Sequence, residues 1–180
     1  MLIPNFKKLA RKKSGLLHEA DSNFKRENPH LEKHYEFALR IGVNENGEYI
    51  SGSMVTGQQE RRRVSHEEIM KSALPEGYTS IAVMHSHPQD TEGHPIVYTK
   101  GKYTFIKNPI THLSDGNKGD FGYAHKHSKI IGVVTPDKSI ELGIPKGGGL
   151  DNWRTLNPNL TKYHNASSYY NDNTKVIKLN

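Results

Sequence analysis

Residues 80–90 read SIAVMHSHPQD. The apolar run from Ile81 to Met84 has the composition of a strand buried within a sheet. The run ends in His85-Ser86-His87, and Pro88 then stops the strand, because proline brings no N–H to the next ladder bond. Along a strand, residues two apart share a face, so His85 and His87 point at one spot and Ser86 points away. Two neutral imidazoles converging on one spot can bind a divalent metal. Taken alone, the pattern is equally well read as polar decoration at a strand end, so the flanking sequence has to decide.

Upstream, Ser65 followed by Glu68 in SHEEIMKSAL forms a capping box that opens a helix. Ile69, Ala73 and Leu74 give it an apolar stripe, and Pro75 and Gly77 close it. Further back, Tyr35, Phe37, Leu39 and Ile41 alternate as in a half-buried strand, with Glu36 on the face opposite Phe37 and Leu39. NENG is a turn with Gly47 available for positive φ, and EYISGSMV reads as the second arm of a hairpin. Downstream, HPIVYTKGKYTFIKN is a hairpin around Lys100-Gly101 inside a long loop. Tyr98, Tyr103 and Phe105 on that hairpin pack on the sheet or line a groove for an extended peptide. HLSDGNKGD is a glycine-rich turn, FGYAHKHS a short helix or turn after Asp120, and KIIGVVTPDKSIELGIP two strands around TPDKS. Near the end, TKVIKL is a terminal strand. Helices interspersed with a largely sequential sheet define an α+β fold, an α/β sandwich.

The bulk composition narrows the chemistry. The chain has 180 residues, and its 25 Lys and Arg outweigh 19 Asp and Glu to give a net charge of +6. Residues 1–30 carry seven of the basic residues, and residues 61–63 are all arginine. This balance permits an anionic partner without requiring one. The absence of cysteine excludes disulfides, thiolate zinc sites and a cysteine nucleophile, and leaves the redox compartment open. No run approaches the roughly 18 apolar residues of a membrane span. The start, MLIPNFKKLARKKSG, lacks the long apolar core of a signal peptide. Residues 1–32 form a basic helical or linker segment in which Phe6, Leu9, Leu16 and Leu17 line one side, interrupted at Ser14-Gly15. The central domain spans 33–146 with an inserted loop at 88–113, and 147–180 is an Asn- and Tyr-rich extension.

The order of these features resembles the JAMM/MPN+ metalloprotease family, also called JAB domains, over residues 33–145. The family pattern is a glutamate on an early strand, then His-x-His-Pro ending a strand, then a serine and an aspartate before a helix. The resemblance implies a JAB/MPN-like, cytidine-deaminase-like mixed sheet with flanking helices and an inserted hairpin loop. It implies Zn(2+) held by His85, His87 and Asp120, Glu36 as general base, Ser114 stabilising the oxyanion, and hydrolysis of a peptide or isopeptide bond. Within the superfamily, the chain is similar to bacterial JAB-like domains at the ends of polymorphic toxins and Rhs-type proteins. That similarity implies a protein or peptide substrate, an immunity protein as partner, and either a bacterial cytoplasmic location or delivery as a toxin module.

Two spacings depart from the family. Ser114 lies 27 positions after His87, and Asp120 six after Ser114 where the family has three. Asp115 is therefore a rival ligand. Asp120 is preferred because it directly precedes the helix of FGYAHKH. DGNKGD lacks the alternating ligands and closing glutamate of a calcium loop. His125 and His127 do not face each other if helical, and His94 and His112 fall in the inserted loop. Two rival functions stand beside the hydrolase. A metal-dependent nuclease would use the basic balance and show strongly salt-dependent nucleic-acid binding. A catalytically inactive scaffold for protein binding would need no metal.

Overall fold

The computed structural model describes residues 4–28, 35–57, 64–87, 113, 119–146 and 170–179, together with the backbone of 96–100 and 103–107. In chain order the elements are α1 (Pro4–Glu27), β1 (Phe37–Val43), β2 (Tyr49–Ser51), β3 (Val55–Thr56), α2 (His66–Met70), β4 (Thr79–Ser86), β5 (Ile96–Lys100), β6 (Tyr103–Lys107), α3 (Asp120–His127), β7 (Ile130–Val134), β8 (Ile140–Pro145) and β9 (Thr174–Lys178). Seven strands form one sheet in the order β2-β1-β4-β7-β8-β9, with β3 also paired to β1. The fold is a mixed α+β sheet with helices on both faces.

Within that sheet β4 and β7 run parallel, and the other pairs are antiparallel. β4 is central, as its apolar run requires, and its last five residues are all buried. Its alternation sorts two cores. Ala82 and Met84 join Leu39, Ile41, Val134 and Leu142 on the face covered by α1. Val83 joins Ala38, Ile131 and Val133 on the face covered by Ile69 of α2 and Ala124 of α3. The imidazoles of His85 and His87, in step with Val83, emerge on this second face.

α1 runs unbroken for 24 residues through Ser14-Gly15. Phe6, Ala10, Ser14, Leu17 and Asp21 are buried along it, three or four residues apart, which is one helical face. Ser14 is part of the packed stripe, because a small side chain lets the helix approach the sheet. Leu16, expected on the apolar side, lies 40% exposed. The helix is thus built into the α1 core through Phe6, Ala10 and Leu17.

The β1–β2 turn places Gly47 at φ 77°. The single second arm expected over EYISGSMV is two strands, β2 and β3. The register explains the break: Ile41 pairs with Ser51 and Ala38 with Val55, which leaves one extra residue on the returning chain. Gly52 lies in the break, where a Cβ would come within 2.7 Å of the Ser72 and Ala73 carbonyl oxygens. The helix over SHEEIMKSAL starts where expected but stops at Met70. Arg40 draws the following turn onto β1, with its N–H donating to Ser72 Oγ at 3.0 Å and its Nε to the Ser72 carbonyl at 2.7 Å. Ala73 is consequently exposed.

The hairpin expected around Lys100-Gly101 is present as β5 and β6, with Ile96 opposite Lys107 and Lys100 opposite Tyr103. Whether Tyr98, Tyr103 and Phe105 pack or line a groove falls outside the described side chains. The terminal strand over TKVIKL is β9, which pairs along β8 from Pro145–Thr174 to Glu141–Lys178. No helix among the described residues is long and apolar enough to cross a membrane.

Candidate metal centre

β4 delivers both histidines at its buried end. The His87 N–H donates to the Val134 carbonyl at 2.9 Å, which carries the β4–β7 pairing one residue past Ser86. Asp120 comes from the first turn of α3, whose N-cap is Gly119. A carboxylate there is favoured by the unpaired N–H groups and the dipole of the helix start. The α3 core contact through Ala124 sets the helix against the sheet so that Asp120 reaches the two imidazoles.

His85 Nε2 lies 3.2 Å from Asp120 Oδ1, and His87 Nε2 lies 3.5 Å from Asp120 Oδ2. The three candidate ligand atoms all fall within 4.8 Å of one another. Two ligands held about 2.0–2.1 Å from a tetrahedral zinc ion are separated by roughly 3.4 Å. Each histidine lies near that edge length from the carboxylate, His85 from Oδ1 and His87 from Oδ2. Each histidine would use Nε2, leaving Nδ1 pointing away. The donor set also suits a divalent ion: two imidazoles and one carboxylate, largely out of water.

Glu36 immediately precedes β1 rather than lying within it, on the same face as Ala38. Ala38 pairs with His85, so Glu36 falls beside His87 where the two strands part. Hydrogen bonds from both sides hold this short stretch, one of them from the Thr56 hydroxyl to the Glu36 carbonyl at 3.4 Å. Glu36 Oε2 accepts the Val64 N–H at 3.1 Å. The Glu36 carbonyl accepts the Gly57 N–H at 3.1 Å. The next amide, Phe37 N–H, donates to Ser86 Oγ at 3.0 Å. Val64 is in place because Ser65 caps α2 by accepting the Glu68 N–H at 3.2 Å.

The charges in the cluster shape one another. Burial pushes the Glu36 carboxyl above its usual value; His85 and His87 oppose that push, and Asp120 adds to it. Burial works against a charged His85, but the Asp120 carboxylate and its hydrogen bond outweigh it, with help from Glu36, and raise the imidazole to about 9. Asp120 shows the reciprocal effect. Burial pushes it up, yet the charge and hydrogen bond of His85, with His87 behind them, hold it well below the usual carboxylate range.

Of the residues singled out from sequence, His85, His87 and Asp120 come together, and Glu36 is close enough to feel all three charges. Ser114 and the rival ligand Asp115 lie outside the described residues, as do His94 and His112. His125 is buried away from the centre, with Nε2 3.1 Å from Thr174 Oγ1 and its ring stacked on Tyr170. His127 stacks on His66 at 4.1 Å between centroids. Two contributors escape a reading of side-chain types. The Val64 amide that holds Glu36 has no signature beyond its place before a capped helix. Glu141 is 3% exposed and accepts the Leu113 N–H at 3.1 Å, fixing the chain one residue before Ser114.

No family model, curated protein or solved structure matches the chain.

Proposed function

We propose that this protein is a zinc-dependent peptidase or isopeptidase of the JAMM type on a JAB/MPN-like sheet. The observation that carries the proposal is the convergence of His85, His87 and Asp120 beside a carboxylate, Glu36, that is held in place by a backbone amide. The resemblance itself rests on the order of these residues along the chain, and a strand end and a helix start present them. An effector role in a toxin, acting on a protein or peptide, belongs to the same proposal and rests on that resemblance alone.

His85 Nε2, His87 Nε2 and an Asp120 oxygen would hold the ion. Bound there, zinc supplies Lewis acidity and lowers the pKa of a water toward neutrality. The protein's own groups do the rest. Glu36 takes the proton of the attacking water and returns it to the nitrogen of the leaving amine. Its raised carboxyl pKa suits both halves of that transfer. The Val64 N–H fixes Oε2, so the other carboxylate oxygen is the one that exchanges the proton. The Ser114 hydroxyl is assigned to the carbonyl oxygen as negative charge develops on it.

The test pairs zinc content with hydrolysis of peptide and isopeptide substrates. In E36Q, stoichiometric zinc should remain while hydrolysis falls by about 100-fold or more. In H87A both should fall. A wild-type protein that takes up no stoichiometric zinc at neutral pH would exclude this mechanism.

A further inference from the structure

Ser86 separates the two histidines, and its side chain leaves the centre. It lies on the α1 face with Ala82 and Met84 and is 1% exposed. Its hydroxyl nevertheless reaches the stretch that presents Glu36. The pairing of β1 with β4 ends at Ala38 opposite His85. One residue further, the link is made by a side chain, with Ser86 Oγ accepting the Phe37 N–H at 3.0 Å.

This is the point where Glu36 and His87 separate. The peptide that donates to Ser86 is the one joining Glu36 to Phe37, so the bond acts one covalent step from the Glu36 Cα. The remaining restraints on Glu36 come from the other side, through Thr56, Gly57 and Val64. Among these hydrogen bonds, that of Ser86 alone ties Glu36 to the strand that carries His85 and His87.

We infer that Ser86 is a positioning residue for Glu36, its hydroxyl prolonging the β1–β4 pairing past the last backbone pair and holding the Glu36 carboxylate in register with the His85, His87 and Asp120 cluster. This rests on the reading of Glu36 as the proton-transferring group. Removing the hydroxyl leaves a partly buried Phe37 N–H without its acceptor, and the stretch must move to find another. Threonine keeps the oxygen and suits a strand.

The test uses the full chain and compares wild type with S86A, S86T, E36Q and S80A. Ser80 lies on the same strand, and its hydroxyl has no hydrogen-bond partner among the described residues, so S80A controls for losing a serine. In the metal-free protein, the Phe37 amide should exchange with solvent about tenfold faster in S86A, and at the wild-type rate in S86T and S80A. With cobalt(II) in place of zinc, the visible spectrum of S86A should move toward that of E36Q, while S80A matches wild type. Where wild type hydrolyses a peptide or isopeptide, S86A should lose roughly 10–100-fold in kcat at unchanged KM, with recovery in S86T. If S86T fails to fold, S86A against S80A decides. Unchanged Phe37 exchange in S86A, or a wild-type cobalt spectrum in S86A while E36Q differs, overturns the inference alone. If E36Q itself leaves spectrum and turnover at wild type, the role of Glu36 falls and this one falls with it.

Discussion

His85 Nε2 faces Asp120 Oδ1 at 3.2 Å, hydrogen-bond distance for a proton on Nε2, in the space a metal ion would fill. With the imidazole raised to about 9, His85 carries that proton at neutral pH in the metal-free protein. A zinc ion taken up by this cluster would have to displace it. Uptake at pH 7 should release about one proton from His85, and affinity should fall about tenfold for each pH unit below 9. Calorimetry in buffers of different ionisation enthalpy measures the release. The same pair sets the pH range of the metal-free fold. His85 has a folded pKa above its unfolded one, so its contribution is full below about 6.5 and is lost as pH rises through about 9. Asp120 has a depressed folded pKa, so its contribution is present above its ordinary value of about 3.9 and is lost as pH falls below that. Metal-free stability from this pair should therefore peak between those limits, and melting curves across pH would show it.

Asp120→Asn removes the negative charge and keeps the size. Burial then dominates at His85, whose pKa should drop from about 9 to below its ordinary value. Proton NMR of the imidazole reads this directly. Zinc affinity should fall by more than the roughly 10–100-fold that loss of an outer partner costs.

Ser65→Ala removes the cap of α2 and with it the hydroxyl that fixes the turn after Val64. The cost in urea unfolding should be about 1 kcal/mol. Ser65→Asp, also a strong cap, should restore the stability.

Gly132→Ala drives a methyl group into Met84 Sδ and to 2.9 Å from a Leu142 methyl, on the α1 side of the sheet. The overpacking should cost about 1–3 kcal/mol. The backbone of Gly132 is hydrogen-bonded to His85, but the added methyl points to the opposite face, so zinc stoichiometry should be unchanged, and metal analysis beside the unfolding midpoint tests both statements.

Much of the centre was legible because its signals are local. The apolar run before His85 makes a buried strand, Pro88 bounds it, and the period of two sends both imidazoles to one side. Asp120 was readable as the start of a helix, while Asp115 had only a turn to recommend it. Features that depend on a distant partner were not readable. Ser14-Gly15 looks like a break until the sheet that Ser14 packs on is known. The split between β2 and β3 depends on carbonyls from Ser72 and Ala73, and the stop of α2 at Met70 on Arg40, none of which is visible in EYISGSMV or SHEEIMKSAL alone. The hold on Glu36 comes from a backbone amide, and any residue but proline brings one.

The chain leaves β4 at His87, and Leu113 is tied to the Glu141 side chain of β8, so both ends of the segment 88–112 are fixed. The His87 N–H is bound to the Val134 carbonyl, and the Leu113 N–H to Glu141, with the Leu113 side chain buried beside Gly143. Doubling the length of such a loop costs only about 0.6 kcal/mol in closure entropy. The backbone that presents His85, His87, Glu36 and Asp120 lies outside it. The chain between those two anchors can therefore change in length at little cost while the strand end and helix start that bring His85, His87 and Asp120 together stay where they are.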